Sequence, residues 1–195
     1  MAKGRPREFD VDEALDRALH VFWRKGYEGT TLLDLTEAMS INRPSLYAAF
    51  GNKEELFRKA FDRYDEEPAA RLREALSQPT VHDVADRLLR KTADALTNPG
   101  NPPGCLAVHG ALSCGDAAEP IRQKLIARRA AGETALRERF ERARSEGSLS
   151  ADTDPADLAR FIVTVTQGMA VQAAAGASRD ELHRVVELAL RCLPT

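Results

Sequence analysis

The sequence is poor in the side chains that most chemistry requires. It holds 3 cysteines and 4 histidines in 195 residues. So low and odd a cysteine count gives no disulfide framework, and Cys105 and Cys114 are not spaced like a zinc knuckle. No G-x-S-x-G, P-loop, H-E-x-x-H or dinucleotide fingerprint occurs, so neither an enzyme nor a cofactor is expected. Long apolar runs are missing too. The longest nearly apolar stretch, from Gly168 to Ala177, is interrupted by Gln172 and falls short of the ~20 residues that span a bilayer. Lys3, Arg5 and Arg7 lead into Glu8, Asp10 and Asp12 rather than an apolar segment, so no secretory signal is read and a cytoplasmic chain is expected. There is no excess of one charge either, since 28 basic residues face 30 acidic ones for a formal net charge of −2. A total leaves open where the charges sit.

Aromatic residues are few but unevenly placed. Nine lie before position 65, namely Phe9, Phe22, Trp23, Tyr27, Tyr47, Phe50, Phe57, Phe61 and Tyr64, and only Phe140 and Phe161 follow. A small domain needs bulky rings to fill its core, whereas a larger helical one can rely on Leu, Val and Ala. Two unequal units, 1 to 64 and 65 to 195, are therefore expected, without a flexible linker.

Helix starts are plentiful. Asp10 with Glu13, Thr31 with Asp34, Asn52 with Glu55, Thr80 with Asp83, Asp154 with Asp157 and Ser178 with Glu181 each place a capping oxygen three residues before an acid. Gly26, Gly51 and Gly147 stand at expected C-terminal caps, and NPGNPPG at 98 to 104 stops a helix. The fold class is all-α, with about nine helices. Val84, Ala85, Leu88, Leu89, Thr92 and Leu96 form one stripe; Ile121, Leu125, Leu136 and Phe140 follow in a helix with expected Glu133/Arg137 and Glu138/Arg142 pairs. The last two helices are apolar on most sides. Leu158, Phe161, Ile162, Val165 and Met169 take one face of the first, and Leu182, Val185, Val186, Leu188, Ala189, Leu190 and Leu193 crowd the second. Such helices must be covered on most sides, which predicts a homodimer through residues 155 to 193, with two central helices of a monomer as the alternative.

From Thr30 the chain reads TTLLDLTEAMSINRPSLYAAFGNKEELF. A capped helix of about eight residues ends near Met39, Ser40 and Ile41 turn, and Asn42 caps a second helix running to Phe50, which is helix-turn-helix order and length. GYEGTT followed by INRPSLYAAFGNKEELF resembles the DNA-binding segment of the TetR/AcrR family of bacterial repressors, over about residues 8 to 64. GCLAVHGALS and QGMAVQAAAGAS are similar, less specifically, to C-terminal segments of some members. The resemblance implies a three-helix DNA-binding domain followed by a larger ligand-binding and dimerisation domain. The expected partners are a near-palindromic double-stranded operator and a small-molecule effector that releases it.

A helical wheel adds an independent reading. Leu46 and Phe50 lie about 40° apart and define the buried face, so Pro44, Ser45 and Ala48 point outward, with Arg43 and Tyr47 on one shoulder. That slim face suits a major groove, where Ser45 can bond a base edge or phosphate and Pro44 and Ala48 can meet thymine methyls. Arg43 is the candidate for reading guanine, a phosphate contact or a solvated charge being the alternatives. Thr31, at a helix N-terminus, presents hydroxyl and N–H to an anion. The resemblance implies phosphate contact for Thr31, Tyr47 and Lys53, with a plain cap, a core ring and a solvated charge as the respective alternatives; Thr30 and Asn42 complete the expected set. Arg5, before Pro6, resembles minor-groove arms, with a solubilising tail as the alternative. Two departures from the family's pattern are Ala48 and Ala49, where a second aromatic and a histidine are common, and Leu33, where a polar residue is usual.

For the C-terminal unit the resemblance implies an effector pocket, and the shortage of rings makes it aliphatic. The expected lining is Leu88, Thr92, Cys105, His109, Phe161, Val165, Met169 and Gln172, with Leu106. Cys105 and His109 sit about 40° apart on a helix, whereas Cys114 lies about 180° round and ~13 Å along, beyond the ~7 Å Cα separation of a disulfide. No metal site is assigned. A metal- or thiol-responsive regulator using Cys105 and His109 is the alternative, as is a helical interaction protein that does not bind DNA. Residues 1 to 64 carry eleven basic and eleven acidic side chains, so weak non-specific affinity is expected, with specific binding dependent on two heads presented together.

Overall fold

The computed structural model of the chain describes residues 9 to 112 and 118 to 194, leaving aside the side chains of residues 111 and 112. Arg5 and Cys114 lie outside the described residues. Among the described residues the secondary structure is entirely helical, with no strand. The helices are α1 (Val11–Lys25), α2 (Leu32–Met39), α3 (Arg43–Phe50), α4 (Lys53–Leu76), α5 (Val81–Leu96), α6 (Leu106–Leu112), α7 (Glu119–Ser145), α8 (Pro155–Ala174) and α9 (Arg179–Arg191).

The caps act as their spacing predicts. Thr31 with Asp34, Asn52 with Glu55 and Ser178 with Glu181 form reciprocal capping boxes. Asp10, Thr80 and Asp154 accept backbone N–H groups one way. Each such cap contributes on the order of 1 kcal/mol. Gly26, Gly51 and Gly147 all have positive φ, which costs glycine no Cβ clash.

Two cores form, and the rings fill the first. Phe22 meets Phe57 edge-on at 5.0 Å, Phe57 stacks on Phe61 at 6.1 Å, and Trp23 meets Tyr64 edge-on at 4.7 Å. Leu106, Ala107, Ile121 and Leu125 from α6 and α7 pack into this same core. The second core is aliphatic around Val84, Leu89, Leu136, Ile162 and Val186, with Phe140 as its one ring. Helix α4 runs unbroken through positions 64 and 65, giving Phe57 and Phe61 to the first core and Ala75 to the second.

The charge pairs expected along α7 differ from those found. Glu133 reaches across to Arg160 of α8 at 2.9 Å, and Arg137 turns to Glu141 at 3.5 Å, because α8 packs along α7 and offers a nearer cation. No Glu138–Arg142 ion pair forms among the described residues. Arg139 does something the spacing did not suggest. It is buried at 9% exposure, where its Nε donates to the Leu76 carbonyl at 3.3 Å and its Nη2 to the Gln78 and Pro79 carbonyls at 2.9 and 2.8 Å. One guanidinium thereby satisfies the α4–α5 turn. Replacing Arg139 by Met leaves the half-buried Leu76 and Gln78 segment without its donor, at about 1–3 kcal/mol for an acceptor that water does not reach, so urea denaturation should show a loss of about 1 kcal/mol or more; an unchanged midpoint would contradict this role.

Candidate nucleic-acid interface and effector cavity

Helices α2 and α3 are joined by a turn in which Ser40 takes φ 56°, a left-handed conformation. Arg17 of α1 donates to the Ser40 hydroxyl at 3.1 Å, which ties the turn to the first helix. On α3, Leu46 and Phe50 are buried while Asn42, Arg43, Pro44, Tyr47 and Ala48 are exposed and Ser45 is half-buried. The wheel therefore assigned the faces correctly. Arg43 forms no ion pair among the described residues, and Tyr47 is 49% exposed, not a core ring. Leu33 is exposed at 55% on α2, so it faces neither core.

Three expectations change in detail. Thr30 is buried at 1% exposure, its hydroxyl donating to the Gly26 carbonyl at 2.6 Å. It closes the α1–α2 corner from inside, so it offers no group to DNA. Thr31 is exposed, but its N–H donates to Asp34 at 2.9 Å and its Oγ1 accepts from the Asp34 N–H at 3.1 Å. Only its hydroxyl proton is left for an outside acceptor, because the chain supplies its own anion at this helix end. Lys53 is half-buried, with Nζ 4.5 Å over the Tyr27 ring. Burial lowers its pKa, partly opposed by Glu28 and Asp34. Tyr27 thus props the ammonium in place at the start of α4.

Asp34 is the electrostatic pivot of this face. The Lys25 ammonium at 2.6 Å, with the Thr31 N–H and hydroxyl, lowers its pKa from 3.8 to about 2. A depressed carboxylate stabilises the fold above its unfolded value and loses that contribution as pH falls from about 4 through about 2.

A cavity of about 160 Å³ lies between α4, α5, α7 and α8. Leu88, Thr92 and Cys105 line it as expected, whereas Leu106, which packs into the first core, His109, Phe161, Val165, Met169 and Gln172 do not. The miss is one of helix face. Residues 161, 165, 169 and 172 fall on another side of α8 than Val163, Thr166, Gln167 and Ala170, which form the wall. Met169 is core, Phe161 and Gln172 are exposed, and Val165 is half-buried. His109 sits beside the 98–104 loop, where a Cβ on Gly104 would come within 2.5 Å of its ring; burial lowers its pKa. The α4 and α7 walls, including Tyr64, Asp65, Arg71, Arg128 and Arg129, were not expected, because a boundary at 64 divided α4 and the charged residues of α7 read as a solvated face. Tyr64 donates its hydroxyl to Cys105 Sγ at 3.1 Å, and burial raises the phenol's pKa. Among the described residues no three His, Cys, Asp or Glu side chains gather as a metal site. No described helix is long and apolar enough to cross a membrane.

Large exposed hydrophobic side chains occupy two places only among the described residues. Leu33 and Tyr47 lie on the helix-turn-helix, and Phe161, Val171, Val185 and Leu188 lie on α8 and α9.

Comparison with known proteins places this geometry. The family described as "Bacterial regulatory proteins, tetR family" matches residues 14–60, and "Tetracyclin repressor-like, C-terminal domain" matches residues 85–189. The HTH-type transcriptional repressor ComR of Escherichia coli (strain K12) is 34% identical over 195 residues, covering 99% of this chain and 93% of that protein. A triple cysteine mutant of the TetR family regulator CifR, solved with a 26-bp operator duplex, is 45% identical with a TM-score of 0.93, covering 98% of this chain and 100% of that one. A putative TetR regulator from Rhodococcus sp. RHA1 is 40% identical with a TM-score of 0.65, covering 93% and 97%. Nuclear magnetic resonance titration of the Asp34 carboxyl should give a midpoint near 2 that rises toward 3.8 in Lys25→Met; the same midpoint in both proteins would refute the pairing.

Proposed function

The chain belongs to the tetR family of bacterial regulatory proteins, and from that premise we propose that it is a homodimeric transcriptional repressor, cytoplasmic and not an enzyme, released from a near-palindromic operator by a small molecule. The observation that carries this reading is the outward face of α3. Arg43, Pro44, Tyr47 and Ala48 are exposed and uncommitted to the core, on a helix held rigidly by Leu46 and Phe50. In this reading Arg43 reads a base, Pro44, Ser45 and Ala48 fit the major-groove wall, and Thr31, Asn42, Tyr47 and Lys53 hold phosphates. Arg5 would reach the minor groove.

Residues 1 to 64 form the reading unit in this proposal and 65 to 195 the effector and dimerisation unit, with α4 serving both. The α8/α9 patch is the dimer seam, each protomer giving two helices to a four-helix interface. An effector filling the cavity presses on α4 near Pro68, where proline removes the helical bond to the Tyr64 carbonyl. Moving α4 moves α3, and the two reading helices leave register with half-sites about one helical turn apart.

Three outcomes check the proposal. A gel shift with the gene's own upstream region should show specific binding, and its absence would reject the repressor reading. Lys53→Ala should weaken binding to all sequences and reduce the salt slope by about one; an unchanged slope would reject the phosphate contact. Leu188→Glu should give monomers by light scattering and abolish operator binding, and a dimeric variant would reject the seam.

A further inference from the structure

Resting on the reading of the cavity as the effector site, we propose that the effector is a small organic carboxylate, a monoanion with an aliphatic tail. Most of the cavity wall is aliphatic, including Leu72, Leu88, Leu136 and Val163, but one side is cationic. Three guanidiniums line it, from Arg71, Arg128 and Arg129, against one carboxylate, Asp65. Arg128 is committed to Asp65 by an ion pair. Arg71 is balanced by an ion pair with Glu67 at 3.7 Å. Arg129 is half-buried and has no hydrogen bond or ion pair among the described residues.

One guanidinium is thus left uncompensated beside an apolar chamber, where low-dielectric walls strengthen its field. A planar fork of donors suits a carboxylate, and a single excess positive charge matches a single negative one. The cavity of about 160 Å³ has room for a short aliphatic tail. The headgroup would meet more than Arg129. It would also compete with Asp65 for Arg128 and so loosen a bond between α7 and α4, coupling this ligand class to movement of the reading unit.

The test uses the full-length dimer with hexanoate, hexan-1-ol and hexylamine as isosteric probes. Isothermal titration reads binding, and fluorescence anisotropy of a labelled operator reads release. Hexanoate should bind, with the alcohol and the amine at least about tenfold weaker. Arg129→Gln should lose about tenfold in hexanoate affinity, and Arg129→Lys should recover part of it. The ligand-free melting temperature of Arg129→Gln should match that of the parent, since Arg129 holds no partner, so a loss of binding is not a loss of fold. Equal binding of all three probes, unchanged affinity in Arg129→Gln, or no binding of any straight-chain carboxylate of four to eight carbons would overturn the proposal. Hexanoate that binds without releasing the operator upholds the assigned chemistry and defeats induction. Release by the amine but not by hexanoate does the reverse.

Discussion

Helix α4 is the constraint on which the rest of the molecule depends. It is 24 residues long, about 36 Å at 1.5 Å per residue, and it supplies side chains to both cores. Its first half packs Leu56, Phe57 and Phe61 against α1; its second half lines the cavity and ends in the turn that Arg139 holds. Because both cores draw side chains from it, α4 is the link through which the proposed coupling of cavity and reading helix would run. Asp62 with Lys124 at 2.5 Å and Asp65 with Arg128 bind the middle of α4 to α7, and Arg63 binds it to Asp12 and Asp16 of α1. Pro68 lies just beyond these struts, at the point where the helix gives up a backbone bond.

Charge on the reading unit is arranged to position rather than to attract. The unit is neutral in sum, and the N-terminus of α2 is already occupied by the Asp34 carboxylate. Lys25 is spent on that carboxylate, and Lys53 is partly sheltered over Tyr27. That leaves Arg43, on an otherwise uncharged face of α3, as the cation of the reading helix. In the proposed dimer a head of this kind would have little non-specific hold on a polyanion, and pairing two of them through the exposed apolar faces of α8 and α9 would compensate by geometry.

What was legible in the sequence was local. Caps depend on a residue and its neighbour three places on, so Thr31, Asn52 and Ser178 announced their helices without tertiary knowledge. The reading face of α3 was legible because two bulky apolar residues one turn apart leave one choice of inside. The fate of Thr30 was not, since a threonine beside a cap can point either way until α1 arrives to accept its hydroxyl. The cavity was half legible for a similar reason. Leu88 and Thr92 sit on the single apolar stripe of α5, but α8 is apolar nearly all round, and its cavity face is chosen by where α7 and α4 lie. The three arginines were hidden because α4 and α7 are charge-rich, and only packing separates the guanidiniums with partners from the one without.

The central claim is that α4 transmits the state of the cavity to the reading helix through its bonds to α7. A double-mutant cycle on Asp65→Asn and Arg128→Gln, read as operator affinity of the dimer, tests it most directly. The account predicts that each single change alters operator affinity and that the double variant differs little from either one, the mark of a shared interaction. Operator affinity unchanged in all three variants, with the dimer intact, would contradict it.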